Sequence, residues 1–256
     1  MDTVAHIFLM FVKEQVIIPI VIFGMIFHKR EPYAKAICVF CVIIIFNTFL
    51  KSVFKVPLLP HLGEGYSFPS GHMHAAAIFY GYLLCKFDDW KIKIFLASLI
   101  GGIGFSIIRC KYHTPFDVTG ALAFASAELF VYRHLEKNVS PKFLAIFALA
   151  FSIVIMKALF LMQQMQSHVW LGFYILTGMI IGTWFFGEYS FKSLHQKIAA
   201  LIFSLISVCA IYYFGSFLKI ENLYGYVVSL KFLILPIAIF ASIFVASKIS
   251  FSRKMA

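Results

Sequence analysis

Charged residues are scarce in this chain: they make up 13% of its 256 residues, whereas a soluble domain usually carries about 25%. Hydrophobic residues make up 62%, and the mean hydropathy is +0.92. Most of the chain must therefore face lipid or other buried helices. The composition excludes an ordinary soluble domain and predicts an all-α, polytopic membrane helical bundle.

Acidic residues are fewer than basic ones, with 11 Asp and Glu against 22 Lys and Arg, and the net charge is +11. A basic balance can indicate nucleic-acid binding, but here the charges stand in short runs between apolar stretches. That arrangement fits the positive-inside rule of membrane proteins. We therefore expect membrane lipids as partners and no nucleic acid, and we leave the oligomeric state open.

The chain also lacks the cysteine pattern of a disulfide scaffold, since it has five cysteines and no regular framework. Cys38 and Cys41 have C-x-x-C spacing but lie inside an apolar segment, without the turn context of a redox motif. We interpret the cysteines as small packing residues. The N-terminus has neither a basic n-region nor an A-x-A-type site, so we expect no cleavable signal peptide.

Long apolar segments divide the chain. About 20 apolar residues cross a bilayer as a helix, and by that measure we predict about nine transmembrane helices. A soft boundary near 135–141 separates a predicted catalytic core, residues 1–135, from additional transmembrane helices of unassigned role, residues 136–256. The predicted spans are 15–28, 34–54, 71–86, 92–110, 115–134, 142–162, 169–187, 198–217 and 226–247.

The distribution of Lys and Arg predicts the orientation. If nine helices cross, fourteen of these residues fall in loops on one side of the membrane and five on the other. The side with fourteen should be cytoplasmic. Four of the other five lie in two loops, 51–70 and 109–114, on the side that normally avoids basic residues. We therefore expect that function requires them there.

These two loops carry the residues that suit phosphoryl transfer. Residues 69–72 read Pro-Ser-Gly-His and would open a helix, whose first N–H groups can bind a phosphate. Lys and Arg neutralise phosphoryl oxygens as well. Two histidines, His72 and His113, can serve as nucleophile and general acid. Asp117 follows His113 at i+4 and can fix its tautomer.

The motifs resemble those of the type 2 phosphatidic acid phosphatase superfamily, which includes lipid phosphate phosphatases and vanadium haloperoxidases. The family motifs are K-x6-R-P, P-S-G-H and S-R-x5-H-x3-D. Residues 69–72 match the second motif completely, and His113-x3-Asp117 matches the end of the third. Lys51 stands at the lysine of the first. The resemblance covers roughly residues 45–125.

This resemblance implies a role for each matched residue, with no metal ion and no cofactor. His113 would be the nucleophile that forms a phosphohistidine, His72 would protonate the leaving alcohol, and Asp117 would orient His113. The groups that hold the phosphate would be Lys51, Ser70, the amide of Gly71 and an arginine.

Two arginine positions of the family motifs are occupied by other residues. Leu58-Leu59 stand where Arg-Pro is expected in the first motif, and Ile107 stands at the arginine of the third. We expect Arg109 to replace the arginine of the third motif. The first-motif arginine would be replaced by Lys55 or Lys111.

His74 and His61 raise the alternative of a metal site with His72, His113 and Asp117. However, His72 and His74 would lie about 200° apart around a helix, so one ion would require a broken helix. We therefore predict no metal site and interpret His74 as a packed or hydrogen-bonded helix residue.

We predict a membrane-embedded phosphatase that hydrolyses a lipid phosphomonoester or diphosphate. Its site should face the periplasm from a bacterial inner membrane. One alternative is a lipid phosphotransferase with the same histidine nucleophile. An alternative of another class is a transporter, for which polar residues near the bilayer midplane would be required; few are visible, mainly Asn47, Thr48 and Thr177.

Overall fold

The protein is all-helical over the described residues, with 82% helix and no strands, which confirms the predicted class. In the computed structural model the described residues are 3–217 and 224–249, of which 215–217 and 224–229 are described by backbone alone. Within them, the helices are α1 Thr3–Met10, α2 Glu14–Phe27, α3 Arg30–Phe54, α4 Gly71–Lys86, α5 Trp90–Arg109, α6 Pro115–Asn138, α7 Pro141–Leu161, α8 Ser167–Phe186, α9 Leu194–Phe217 and α10 Tyr224–Lys248.

Each of the nine predicted segments coincides with one helix from α2 to α10. By length and hydropathy, six of the described helices qualify as membrane spans: α3, α5, α7, α8, α9 and α10. Helices α1 and α2 form a pair bent by 52°, and counting that pair as one span gives seven. An integral membrane protein is thus supported, whereas the count of nine spans stays a prediction.

Several helices begin at residues that satisfy their first N–H groups. Thr114 caps α6 and is followed by Pro115, and Ser140 caps α7 and is followed by Pro141. Proline suits the first helical position because its missing N–H would have no intrahelical partner there. The α6 cap lies in the second of the two basic loops.

The chain forms two compact units, Met1–Pro19 with Lys35–Phe173, and Ile20–Ala34 with Tyr174–Ala256. In the first unit, α4 packs against α5 and α6, and α1 packs against α5. A further apolar cluster of that unit joins α3, α7 and the start of α8 through Ile45, Ile155, Met156, Leu159 and Val169. In the second unit, α9 packs against α10. The division predicted near residue 135 stays a prediction.

Candidate active site

The two basic loops meet in the first unit. Ser67 Oγ donates a hydrogen bond to Asp117 Oδ1 at 3.1 Å, and the backbone N–H of Ser70 donates to the Asp117 carbonyl at 3.1 Å. Farther out, His61 Nε2 lies 3.0 Å from the carbonyl oxygen of Lys111. The motifs that are separated in sequence are therefore adjacent in space, on the ends of α3, α4, α5 and α6.

The first loop is folded back on itself like a hairpin. Ser67 N–H donates to the Val56 carbonyl at 2.8 Å, and Pro57 pairs with Tyr66 in an isolated antiparallel bridge. Lys51, in the last turn of α3, donates from Nζ to the Tyr66 carbonyl at 2.8 Å. This bond holds the ammonium group of Lys51 next to the returning half of the loop.

Asp117 is buried, with 1% of its surface exposed, and its carboxylate is held by several donors. Oδ2 accepts from both the N–H and the hydroxyl of Thr114 at 2.9 Å, while Oδ1 accepts from Ser67. Thr114 and Asp117 form a reciprocal capping box at the start of α6. Donors on both oxygens stabilise the ionised carboxylate and fix its orientation.

His113 immediately precedes this cap and is 8% exposed. Its Nδ1 atom lies 3.5 Å from Asp117 Oδ2 and has no closer hydrogen-bond partner among the described residues. The pKa of His113 is lowered to about 4, first by burial and then by the positive charge of Lys51, while the carboxylate of Asp117 opposes this shift. The imidazole is therefore neutral near pH 7, as a nucleophile must be.

Ser70 and His72 flank the start of α4 on either side of Gly71. Ser70 caps the helix with its backbone, but its buried hydroxyl has no hydrogen-bond partner among the described residues. Burying a hydroxyl without a partner costs about 1–3 kcal/mol. The His72 side chain is exposed, and its positive charge, when it is protonated, lowers the pKa of His113. An anion at the first amides of α4 would supply the acceptor that Ser70 lacks.

The candidate site lies within a family match: residues 32–141 match the family model described as the PAP2 superfamily. This part of the chain is therefore similar to the PAP2 superfamily. The match confirms the resemblance seen in the motifs and supports activity as a phosphoric ester hydrolase, since the superfamily generally comprises phosphatases. Comparisons with curated proteins and with solved structures found no match to this chain.

Apolar residues occupy the two PAP2 motif positions where arginine is absent. Ile107 is fully buried in the core, and the hydroxyl of the adjacent Ser106 donates to the Gly102 carbonyl within α5. Leu58 lies in the folded-back loop, where its N–H donates to the Gly65 carbonyl. The side chains expected to replace the arginines are all exposed near helix ends, and their part in phosphate binding stays a prediction; they are Lys55, Arg109 and Lys111.

His74 is fully buried and hydrogen-bonded, as predicted for a helix residue outside the catalytic pair. Its Nε2 lies 2.6 Å from Glu128 Oε2, and its Nδ1 lies 2.9 Å from Asn47 Nδ2. His72 is exposed on a different side of α4. Within the described residues, no group of three or more His, Cys, Asp or Glu side chains is arranged to hold a metal ion.

Sequence reasoning missed two residues that position the PAP2 aspartate, Thr114 and Ser67. Thr114-x-x-Asp117 has the spacing of a capping box, and Pro115 stands at the first helical position, so the pattern was available in the sequence. Ser67 carries no such signal, because its contact with Asp117 spans 50 residues. Only the folded-back first loop brings it there.

Proposed function

We propose that this protein is a membrane-embedded lipid phosphatase that hydrolyses a phosphomonoester or diphosphate lipid through a phosphohistidine, without a metal ion. The observation that carries the proposal is the arrangement around residue 113. A neutral, buried His113 lies beside the carboxylate of Asp117, and one loop away Ser70 has a buried hydroxyl without a partner among the described residues. The first group suits nucleophilic attack, and the second suits an oxygen of the phosphate.

The carboxylate geometry favours one tautomer of His113. Because Asp117 Oδ2 is an acceptor 3.5 Å from Nδ1, the proton belongs on Nδ1, and the lone pair of Nε2 is left for attack on phosphorus. The 3.5 Å distance is long for a hydrogen bond, and catalytic hydrogen bonds often tighten only when substrate is bound. Thr114 and Ser67 keep the carboxylate in place for this contact.

The reaction then proceeds in two displacements. In the first, Nε2 of His113 forms a bond to phosphorus while the bond from phosphorus to the lipid oxygen breaks, and His72 gives its proton to that oxygen. In the second, a water molecule attacks phosphorus, His72 takes the proton of the water, and the bond to His113 breaks to release phosphate. Lys51, Ser70 and the first amides of α4 neutralise the phosphoryl oxygens throughout.

The side of the membrane on which the site would lie follows from the distribution of Lys and Arg. The loops that carry the site lie on the side predicted to be extracytoplasmic, so the site would face the periplasm in a bacterial inner membrane. The phosphate of a membrane lipid belongs to its head group, which lies at the bilayer surface, where the site would also lie. A lipid can therefore reach the α4 amides laterally, with its chains still in the membrane.

The test is phosphate release from a panel of purified lipid phosphates in detergent micelles. The panel includes phosphatidic acid, phosphatidylglycerophosphate, a polyprenyl diphosphate and a lipid A phosphate. We expect the wild type to release phosphate from at least one of them in the presence of excess EDTA. The activity of His113→Ala should be lower by about 10³-fold or more. Equal release by both proteins contradicts the mechanism. Turnover only on addition of an acceptor lipid identifies a phosphotransferase instead.

A further inference from the structure

Three polar residues lie beneath the site in the interior of the first unit, and the two-displacement mechanism does not use them. Asn47 is in α3, His74 in α4 and Glu128 in α6. Asn47 is 6% exposed, His74 is completely buried, and the Glu128 side chain is 17% exposed. Ionisable groups inside membrane helices are costly and usually functional, so this cluster requires an explanation.

The donors and acceptors of the cluster follow one order, from Asn47 through His74 to Glu128. Glu128 Oε2 lies 2.6 Å from His74 Nε2, and an ionised carboxylate only accepts, so Nε2 carries the proton. In the neutral imidazole, Nδ1 is then an acceptor, and it lies 2.9 Å from Asn47 Nδ2. Asn47 therefore donates to His74, and the second hydrogen on Nδ2 is left for another acceptor.

That acceptor is the carbonyl oxygen of Pro69, 3.4 Å from Asn47 Nδ2. Pro69 is the first residue of the Pro-Ser-Gly-His motif. On the other side of the amide group, Asn47 Oδ1 approaches Gly71 so closely that a Cβ there would lie 3.3 Å from it. The side chain of Asn47 thus contacts the residues before and after Ser70.

The turn at Ser70 is hydrogen-bonded to residues of three helices. The N–H of Ser70 donates to the Asp117 carbonyl in α6, the carbonyl of Ser70 accepts from the His74 N–H in α4, and Asn47 reaches it from α3. The first two bonds are made by the backbone and survive most substitutions. The third depends on side chains alone, and it is the one whose orientation Glu128 and His74 decide.

We infer that Glu128, His74 and Asn47 form a positioning chain that orients the Pro69–Gly71 turn for phosphate binding. The inference rests on the proposed function, because it assigns these residues to the phosphate-holding part of that site. Glu128 fixes the tautomer of His74, His74 fixes which way the Asn47 amide faces, and Asn47 holds the turn. None of the three touches the phosphate.

Loss of Glu128 has a specific consequence in this arrangement. Without its carboxylate, the proton of His74 moves to Nδ1 and points at Asn47 Nδ2, which is also a donor. The Asn47 amide then rotates to present Oδ1 to His74, and Nδ2 leaves Pro69. Because a misplacement of about 1 Å can cost about 100-fold in rate, we expect a 10- to 100-fold slower first displacement.

The test measures the first-order rate constant of phosphohistidine formation in the full chain, in a single turnover with excess enzyme. With the enzyme at a saturating concentration, this constant does not depend on the fraction of molecules that are folded. The variants are Glu128→Ala, Glu128→Gln, Asn47→Leu and the double variant Asn47→Leu/Glu128→Ala. Glu128→Gln keeps an acceptor for His74 Nε2 and should restore most of the rate.

The double variant separates positioning from general stabilisation. If Glu128 acts through Asn47, adding Glu128→Ala to Asn47→Leu slows the reaction no further, because changes within one hydrogen-bond network are not additive. The matched control is Glu136→Ala, which removes a buried carboxylate from the other end of α6, where it binds Lys35 and Lys86. This variant should lose stability but keep the wild-type rate constant.

The outcomes distinguish this inference from the proposed function. If His113→Ala abolishes phosphohistidine formation but Glu128→Ala and Asn47→Leu react at the wild-type rate, the positioning chain is wrong and the mechanism stands. The positioning chain is also wrong if the rate losses of the two single variants multiply in the double variant. If the wild type forms no phosphohistidine with any lipid phosphate, the mechanism fails and the positioning role fails with it.

Discussion

The carboxylate of Asp117 takes part in the cap of α6 and, in the proposed mechanism, orients the candidate nucleophile. Its Oδ2 atom accepts two hydrogen bonds from Thr114 and faces His113 Nδ1, while Oδ1 accepts from Ser67. Using one carboxylate for both tasks ties the position of the histidine to the start of a rigid helix. A change at Asp117 should therefore affect both the helix cap and catalysis, and the two effects can be measured separately.

Asp117→Asn is expected to lower kcat by about 10³-fold or more, because an amide cannot hold the Nδ1 proton of His113 as a carboxylate does. The weakened cap should cost about 1 kcal/mol of stability. The measurements are kcat for phosphate release and the Tm of the purified protein. Thr119→Ala, on the exposed side of the same helix, is the control and should leave both unchanged. A kcat within tenfold of wild type would show that Asp117 only caps the helix.

Lys51 is expected to set the acid limit of activity through His113. Its charge helps to hold the pKa of His113 at about 4, and the reaction needs the neutral imidazole. Activity should therefore persist as pH falls below 6 and be lost only as pH approaches 4. In Lys51→Gln the pKa of His113 rises, so protonation removes the nucleophile at a higher pH.

The measurement is the ratio of kcat/KM at pH 5 to that at pH 7, in wild type and in Lys51→Gln with the same substrate. With one substrate, the charge of the free phosphate group is the same for both proteins at each pH. The ratio should be lower in the variant, whatever its absolute activity. Lys137→Gln, at the far end of α6, should keep the wild-type ratio. An unchanged ratio in Lys51→Gln would mean that this charge does not act on His113.

At the scale of the element, α5 ends close to the site in a motif that usually contains glycine. The N–H of Lys111 donates to the Ile108 carbonyl, that of Tyr112 donates to the Ile107 carbonyl, and Lys111 has φ of 57°. This is the Schellman arrangement, in which the left-handed position favours glycine. A lysine there is strained by about 1–2 kcal/mol.

Lys111→Gly should therefore stabilise the protein by about 0.5–1 kcal/mol, the relief of strain exceeding the extra freedom of glycine in the unfolded chain. Gln163 ends α7 in the same motif, with φ of 56°, and is not one of the candidate site residues. Gln163→Gly is the matched control, and both variants should raise the Tm. If Lys111 binds phosphate, only Lys111→Gly also raises KM; equal KM in the two variants would exclude that role. A lower Tm in both would contradict the strain argument.

The elements differ in how far the sequence predicts them. His113 and Asp117 are four residues apart, so their short separation in the sequence was enough to predict that they lie side by side, although His113 precedes α6 and does not belong to it. His74 and Glu128 are separated by 54 residues, and their contact depends on how α4 packs against α6. Nothing in a single sequence gives that register. The same limit explains why Ser67 was missed and why Thr114, with its local capping pattern, could have been found.

At the scale of the whole molecule, the orientation of the site depends on whether α4 crosses the membrane. With 16 residues and a rise of 1.5 Å per residue, α4 is about 24 Å long, shorter than the hydrocarbon core of about 30 Å. It is followed directly by α5, which does qualify as a span. If both cross, the loop before α4 and the turn after it lie on opposite sides, and the distribution of Lys and Arg then predicts that the basic loops are extracytoplasmic.

Single cysteines at exposed positions test this arrangement in a chain whose five native cysteines are replaced by alanine. Glu64 lies in the first loop, Asp88 in the turn between α4 and α5, and Lys142 at the start of α7. In intact bacterial cells, a membrane-impermeant maleimide should label Glu64→Cys. Labelling of Asp88→Cys and Lys142→Cys should require permeabilised cells.

Each result of the labelling has a separate meaning for the site. Labelling of Glu64→Cys and Asp88→Cys together from outside would mean that α4 and α5 do not cross as a hairpin, because both ends of a 24 Å helix would then lie on one face. Labelling of only Asp88→Cys and Lys142→Cys from outside would invert the molecule and place His113 in the cytoplasm. The predicted pattern instead leaves the substrate phosphate on the periplasmic surface, where the unusual basic residues of the two loops would meet an anionic head group.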